Sequence, residues 1–200
     1  MRLAIDVDGV VADFVGGWSA IYEHWWPGRL DSSKLVDWDG IVTGTHFKDE
    51  DEFWTWSDDA LVWDSLPVIA GCQGVLYDLH NAGHEVVFVT SRHKETQAAT
   101  WNWLYAHFAF LPLEMHESNF PPVTTRLFFP GKNKHEVKAD LYLDDNPEVL
   151  LDLKRWQRNT CRFVRPWNDT KYMKSAIPLS IRTWAEFPAV VEAVQEILDD

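Results

Sequence analysis

Residues 3–10 read Leu3-Ala4-Ile5-Asp6-Val7-Asp8-Gly9-Val10, a short apolar run followed by two acids one residue apart and then a glycine. A continuous rather than alternating apolar run suits a strand covered on both faces, as in a parallel sheet. In an extended chain residues i and i+2 point the same way, so Asp6 and Asp8 face one site. Gly9 allows the backbone to turn sharply after them. Ligands of open α/β sheets bind beyond the carboxyl ends of strands, which is where these acids stand. Alone, the same residues also read as an acidic turn that caps the next helix.

Further along, Val86–Val89, Leu127–Phe129, Leu141–Leu143 and Cys161–Val164 read as strands. Helical patterns lie between them, at Gly74–Asn81, Glu95–His107 and Pro147–Gln157. A last helix opens at Thr183-Trp184-Ala185-Glu186, a capping-box pattern. This alternation predicts an α/β fold with a doubly wound parallel sheet. One segment breaks the rhythm. From Phe14 to Ile69 there is a helical stretch, then turn-rich sequence with Pro27, Gly28, Gly40 and Gly44, then the acidic, Trp-rich run Asp49–Asp64. So long a connection predicts a folded insertion. We read residues 14–69 as a small, mainly helical cap over the sheet's C-terminal edge, and residues 1–13 with 70–200 as the core domain. An extra helical layer without a functional role is the alternative.

Two hundred residues are room for one domain carrying an insertion. With 18 Lys and Arg against 31 Asp and Glu, the net charge is −13. That disfavours polymeric nucleic acid as a partner and leaves room for a small anion whose charge is offset locally. No run of about 18 apolar residues appears, so no transmembrane helix and no membrane partner are expected. The apolar start meets an acid at Asp6, too soon for a secretory signal, which points to the cytoplasm. Cys72 and Cys161 make neither a disulfide framework nor a zinc site.

The strand ends carry the chemistry. Leu141–Leu143 runs into Asp144-Asp145, followed by Asn146-Pro147 at a helix start, again readable as a cap. Two strands that each end in two acids can bring four carboxylates together, an arrangement that is very unfavourable without a cation. Hard oxygen ligands of this kind select Mg2+. Val86–Val89 ends in Thr90-Ser91-Arg92, whose hydroxyls and backbone N–H groups suit phosphate oxygens. Gly131-Lys132-Asn133-Lys134 supplies a lysine able to offset phosphate and carboxylate charge, though alone it reads as a solvated turn.

In order, D-x-D-G-V, T-S, K and D-D resemble the four motifs of the haloacid dehalogenase (HAD) superfamily of phosphotransferases. The tail Val11-Ala12-Asp13-Phe14, the five residues between Lys134 and Asp140, and the late Thr183-Trp184 bring the chain nearest to the 5'(3')-deoxyribonucleotidases. The resemblance implies a HAD-like Rossmannoid core and a phosphomonoesterase that works through an aspartyl-phosphate. It implies that Asp6 is the nucleophile, that Asp8 protonates the leaving alkoxide and then activates water, and that Lys134 offsets charge. Thr90, Ser91 and Arg92 would line the phosphate. Mg2+ would be held by Asp6, the Asp8 backbone carbonyl and the Asp144-Asp145 pair, with Asp145 preferred as direct ligand. The implied substrate is a small phosphomonoester, a nucleoside monophosphate above all; oligomeric state is left open. Arg92 departs from the proline often found in that motif, and the segment Phe14–Ile69 carries no matching motif.

Seven of the 12 tryptophans, Trp18, Trp25, Trp26, Trp38, Trp54, Trp56 and Trp63, fall within residues 14–69. Trp54, Trp56 and Trp18 are candidates to stack on a base. The rings also suit a thin core that needs large buried area. Trp54 and Trp56, at i and i+2, cannot share a helical face. The loop Arg165-Pro166-Trp167-Asn168 is a further candidate to support the site. Competing readings are a sugar-phosphate or DNA 3'-phosphate phosphatase, a phospho-acceptor receiver domain, and a binding module without catalysis. The order of the motifs and the long insertion disfavour the receiver.

Overall fold

The computed structural model describes residues 1–59, 61–111 and 127–199. Six strands make one sheet: β1 (Arg2–Ile5), β2 (Glu85–Val89), β3 (Leu127–Phe128), β4 (Leu141–Asp144), β5 (Thr160–Phe163) and β6 (Ser180–Ile181). Their order is β3-β2-β1-β4-β5-β6 and every pairing is parallel. The chain builds outward from β1 on one side, then crosses to β4 on the other, so the crevice between β1 and β4 is the switch point of the sheet. Ile5 pairs with Leu143, which brings the two strand tips level, and the Asp6 N–H donates to the Leu143 carbonyl at 3.0 Å. β6 was not anticipated; two residues are too few to show a pattern.

The continuous apolar strands have the physical cause expected of them. Leu3 and Ile5 pack into one core with α5 (Cys72–Asn81), α6 (Gln97–Phe108) and α9 (Phe187–Asp199). Ala4, Val87, Val89 and Tyr142 face the opposite layer with Val149 and Leu153 of α7 (Pro147–Arg155). A short helix α8 (Lys171–Ala176) precedes β6. The Thr183–Glu186 capping box forms as read, on a 3-10 turn that leads into α9. Among the described residues, no helix is long and apolar enough to cross a membrane.

Between β1 and β2 the chain forms α1 (Phe14–Trp25), α2 (Gly40–Thr43), α3 (Glu50–Asp59) and α4 (Val62–Ser65). Its entry and exit are tied side by side: the Asp13 N–H donates to the Pro67 carbonyl and the Ile69 N–H to the Val11 carbonyl, each at 2.8 Å. Rings fill the interior of this insertion. Trp18 is fully buried, stacks on Tyr22 at 5.0 Å, and donates from its indole N–H to Ser57. Trp56 packs edge-on against both Trp18 and Tyr22.

Candidate active site

The capping alternative for both acidic motifs falls to their neighbours. Asp13, not Asp6 or Asp8, caps α1 by accepting the Gly16 N–H. Asn146, not Asp144 or Asp145, caps α7 by accepting from Glu148 and Val149, with Pro147 in the first turn. The strand-end acids are therefore left for other work.

Asp6 at the tip of β1 and Asp144 at the tip of β4 share one lysine. Lys134, from the 3-10 turn Lys134–Glu136, donates to Asp6 Oδ1 at 2.5 Å and to Asp144 Oδ2 at 2.7 Å, and all three side chains are buried. The other Asp144 oxygen accepts the Asn146 N–H. Asp145 is equally buried, yet among the described residues no hydrogen bond reaches its carboxylate. That carboxylate lies directly over Gly9, where an added Cβ would meet Oδ2 at 1.9 Å, and the φ of +75° there also calls for glycine. Carboxylate oxygens of Asp6, Asp144 and Asp145 lie within 4.8 Å of one another. Three buried acids against one ammonium leave uncompensated negative charge facing an unpaired carboxylate. This donor set fits a divalent cation.

The electrostatics follow from that crowding. Burial, with the neighbouring charges of Asp144 and Asp8, pushes the Asp6 carboxyl up to about 8, although Lys134 pulls the other way. Burial and the charges of Asp6 and Asp144 hold Asp145 well above the usual carboxylate range. For Lys134 burial would lower the value, but the two carboxylates outweigh it and the ammonium is held charged.

Asp8 does not join this group. Four converging carboxylates were expected; three converge, and the fourth turns to Arg92. The guanidinium donates from Nε to Asp8 Oδ2 at 2.8 Å and from Nη2 to Oδ1 at 2.7 Å. Its Nη1 donates to Thr100, and its face lies 4.6 Å from the Trp63 ring centre. Arg92 is thus engaged with an acid and an aromatic ring, where the motif reading had it facing phosphate. Thr90 is fully buried and its hydroxyl accepts the Arg92 N–H, closing the turn after β2. Ser91 is exposed and donates to the Gly131 carbonyl at 3.2 Å.

A cavity of about 470 Å³ opens over these strand tips. Asp6, Asp8, Lys134 and Asp145 line it from the sheet, Ser91 and Arg92 from the turn after β2, and Phe14, Trp38, Trp54 and Trp63 from the insertion. Phe14 and Trp63 stack at 5.5 Å and 14°, and Trp54 and Trp63 lie at 6.1 Å and 14°, so three rings form one near-parallel set. Of the three tryptophans singled out, only Trp54 reaches the cavity. Trp18 and Trp56 belong to the insertion's core, because α3 turns residue 56 inward toward α1.

Trp63 and Trp38 were not among the rings singled out, and Arg165 and Trp167 were read only as part of a supporting loop. Trp63 sits on a separate helix reached through Leu61 in a left-handed conformation (φ 53°), so no spacing from Trp54 marks it. Arg165 did carry a signal: it lies just past the end of β5, as Asp8 does past β1. Its Nε donates to the Gly9 carbonyl at 2.7 Å. Asn168 of the same loop donates to the backbone carbonyls of Asp145 and Phe163 at 2.7 and 2.8 Å, fixing both strand ends.

Comparison with known proteins agrees with this geometry. The family model described as 5' nucleotidase, deoxy (pyrimidine), cytosolic type C protein matches residues 1–191. The 5'(3')-deoxyribonucleotidase of Bacillus subtilis is 29% identical over 178 residues, 83% of this chain and 92% of that protein. A haloacid dehalogenase-like hydrolase from Streptococcus pneumoniae superposes with a TM-score of 0.66 at 10% identity, covering 95% of this chain and 97% of that one. CbbY from Rhodobacter sphaeroides, solved with phosphate, gives a TM-score of 0.58 at 9% identity over 92% of this chain and 95% of its own.

Proposed function

Because the chain belongs to the 5' nucleotidase, deoxy (pyrimidine), cytosolic type C family and is a phosphatase, we propose that it is a Mg2+-dependent 5'(3')-deoxyribonucleotidase acting on nucleoside monophosphates. The observation that carries this reading is the Asp6 carboxylate. It is paired with Lys134, stands beside the acid group that fits a cation, and lines a cavity walled by Trp54 and Trp63.

Asp6 is the nucleophile. Its oxygen bonds phosphorus as the ester P–O bond breaks, and Asp8 gives a proton to the departing alkoxide. In the second half a water gives a proton to Asp8 and its oxygen bonds phosphorus. The aspartyl P–O bond then breaks, which releases inorganic phosphate and restores both acids. Lys134 keeps positive charge beside the reacting oxygen, and Ser91 with the backbone N–H groups after β2 faces the phosphoryl oxygens. Asp6, Asp145 and the Asp8 backbone carbonyl are the proposed ligands of a Mg2+ ion, which when bound offsets charge on the phosphoryl oxygens and the acids. Asp144 acts behind them, since Lys134 and Asn146 already occupy its oxygens.

Residues 14–69 act as the cap, and the Phe14, Trp54 and Trp63 rings take the base face-on. A volume of about 470 Å³ is within the ordinary range for a small-molecule site. The test is a panel of phosphate monoesters assayed with Mg2+: dUMP, dTMP, a sugar phosphate, a DNA 3'-phosphate and p-nitrophenyl phosphate. Nucleotides are expected to be turned over best and EDTA to stop every reaction. A sugar phosphate preferred over all nucleotides, or full turnover in EDTA, would overturn the reading.

A further inference from the structure

We propose that Arg92 is a positioning residue that fixes the plane of the Asp8 carboxylate and fastens it to the Trp63 wall of the insertion. The inference rests on the reading of Asp8 as proton donor and adds to it what holds the donor in place.

Two parallel N–H···O bonds define the plane of a carboxylate in a way that one contact cannot. Arg92 makes both, at 2.8 and 2.7 Å, and leaves the Asp8 side chain 27% exposed toward the cavity it lines. The guanidinium is itself held from several sides. Its side chain is 1% exposed, Nη1 donates to the buried Thr100 of α6 at 2.9 Å, and the Trp63 ring covers one face. Trp63 is anchored in turn: its indole N–H donates to Asp58 Oδ1 at 2.6 Å, and the other Asp58 oxygen lies 3.0 Å from Nε2 of His93, next in chain to Arg92. A closed circuit therefore runs from the turn after β2 through Asp58 and Trp63 and back to the arginine that grips Asp8. Each guanidinium nitrogen donates within this circuit and the side chain is 1% exposed, so it works on the reaction through Asp8.

In the first half a donor that is out of place matters only when the leaving group needs its proton, whereas the water of the second half needs Asp8 with either substrate. An alkoxide leaving from a nucleotide needs one; p-nitrophenolate leaves without it. Arg92→Ala is expected to lower kcat for dUMP by roughly 100-fold, the usual scale for a misplaced group, with KM little changed. The first-turnover release of p-nitrophenolate should stay within about 3-fold of wild type, on the same reasoning, while its steady-state turnover falls with the second half. In an Asp8→Asn background Arg92→Ala should cost nothing more, because the two act as a unit. Arg92→Lys, which keeps the charge without the fork, should recover only part of the loss, and it carries the same comparison if the alanine variant does not fold. A first-turnover loss as large with p-nitrophenyl phosphate as with dUMP would overturn the proposal, as would losses that multiply in the double variant. If Asp8→Asn alone leaves dUMP turnover intact, the assignment of Asp8 itself is wrong, a failure distinct from that of Arg92.

Discussion

The two halves of the cavity are built by opposite means. On the sheet side most of the lining groups are charged and held by a partner: Lys134 between Asp6 and Asp144, Arg92 on Asp8, Arg165 on the Gly9 carbonyl. On the insertion side the groups are rings held by other rings, with Trp18, Tyr22, Phe53 and Trp56 packed behind Trp54 and Trp63. Phosphoryl transfer needs charges fixed in place, whereas a base needs a flat apolar surface, and rings can supply that surface while also filling a thin core. On the proposed reading the same residue type serves two ends in the insertion, and position decides which.

The sharpest test of this contrast is Asp6→Asn. Loss of the nucleophile should lower kcat by at least about three orders of magnitude, while the melting temperature holds and, above about pH 8, rises, because an acid otherwise ionised there beside Asp144 and Asp145 becomes neutral. Activity near normal in the purified variant would remove the nucleophile assignment. Trp18→Ala should break the insertion side by the other route, through packing. A fully buried tryptophan replaced by alanine costs about 3–5 kcal/mol, read as a lower midpoint in urea. Trp54→Ala should separate ring from core: KM for dUMP is expected to rise roughly 5- to 100-fold, the worth of one stacked base, with p-nitrophenyl phosphate unaffected. A loss shared by both substrates would make Trp54 another core residue.

The smallest effect concerns pH. Asp6 is raised from 3.8 to about 8 in the folded chain, so across that window the native state holds a proton that the unfolded chain has shed. Without metal, stability should fall as pH climbs through the window. A cation needs the carboxylates ionised, so the gain in melting temperature from Mg2+ over EDTA should widen from about pH 6 to about pH 8. Asp31, Asp49, Asp169 and Glu186 are shifted downward and titrate below this range. A gap that stays constant would mean that the acid group does not hold the ion.

Much of the sheet was legible because its signals are local. A buried strand announces itself in four residues, and acids at its end stand at the rim of the crevice, which is how Asp6, Asp8, Asp144 and Asp145 were read as one set, of which Asp6, Asp144 and Asp145 converge. Lys134 needed only its order in the chain. Arg92 was read through its neighbours, Thr90 and Ser91, which suggested phosphate, while the partners it meets, Asp8 and Trp63, lie 84 and 29 residues away. The rings were legible in number but not in direction. Which of Trp54, Trp56 and Trp63 meets the cavity depends on how α3 and α4 pack against α1, and that is settled by the fold rather than by a repeat in the chain.

The insertion leaves and rejoins the sheet at a single gate, where residues 11–13 run beside 67–69. A segment attached in this way can be excised and the gap closed by a short turn without lengthening any path through the core. A graft of a foreign insertion at this point is expected to change what the catalyst accepts, and it must bring a ring in place of Trp63 if Arg92 and Asp8 are to keep their setting.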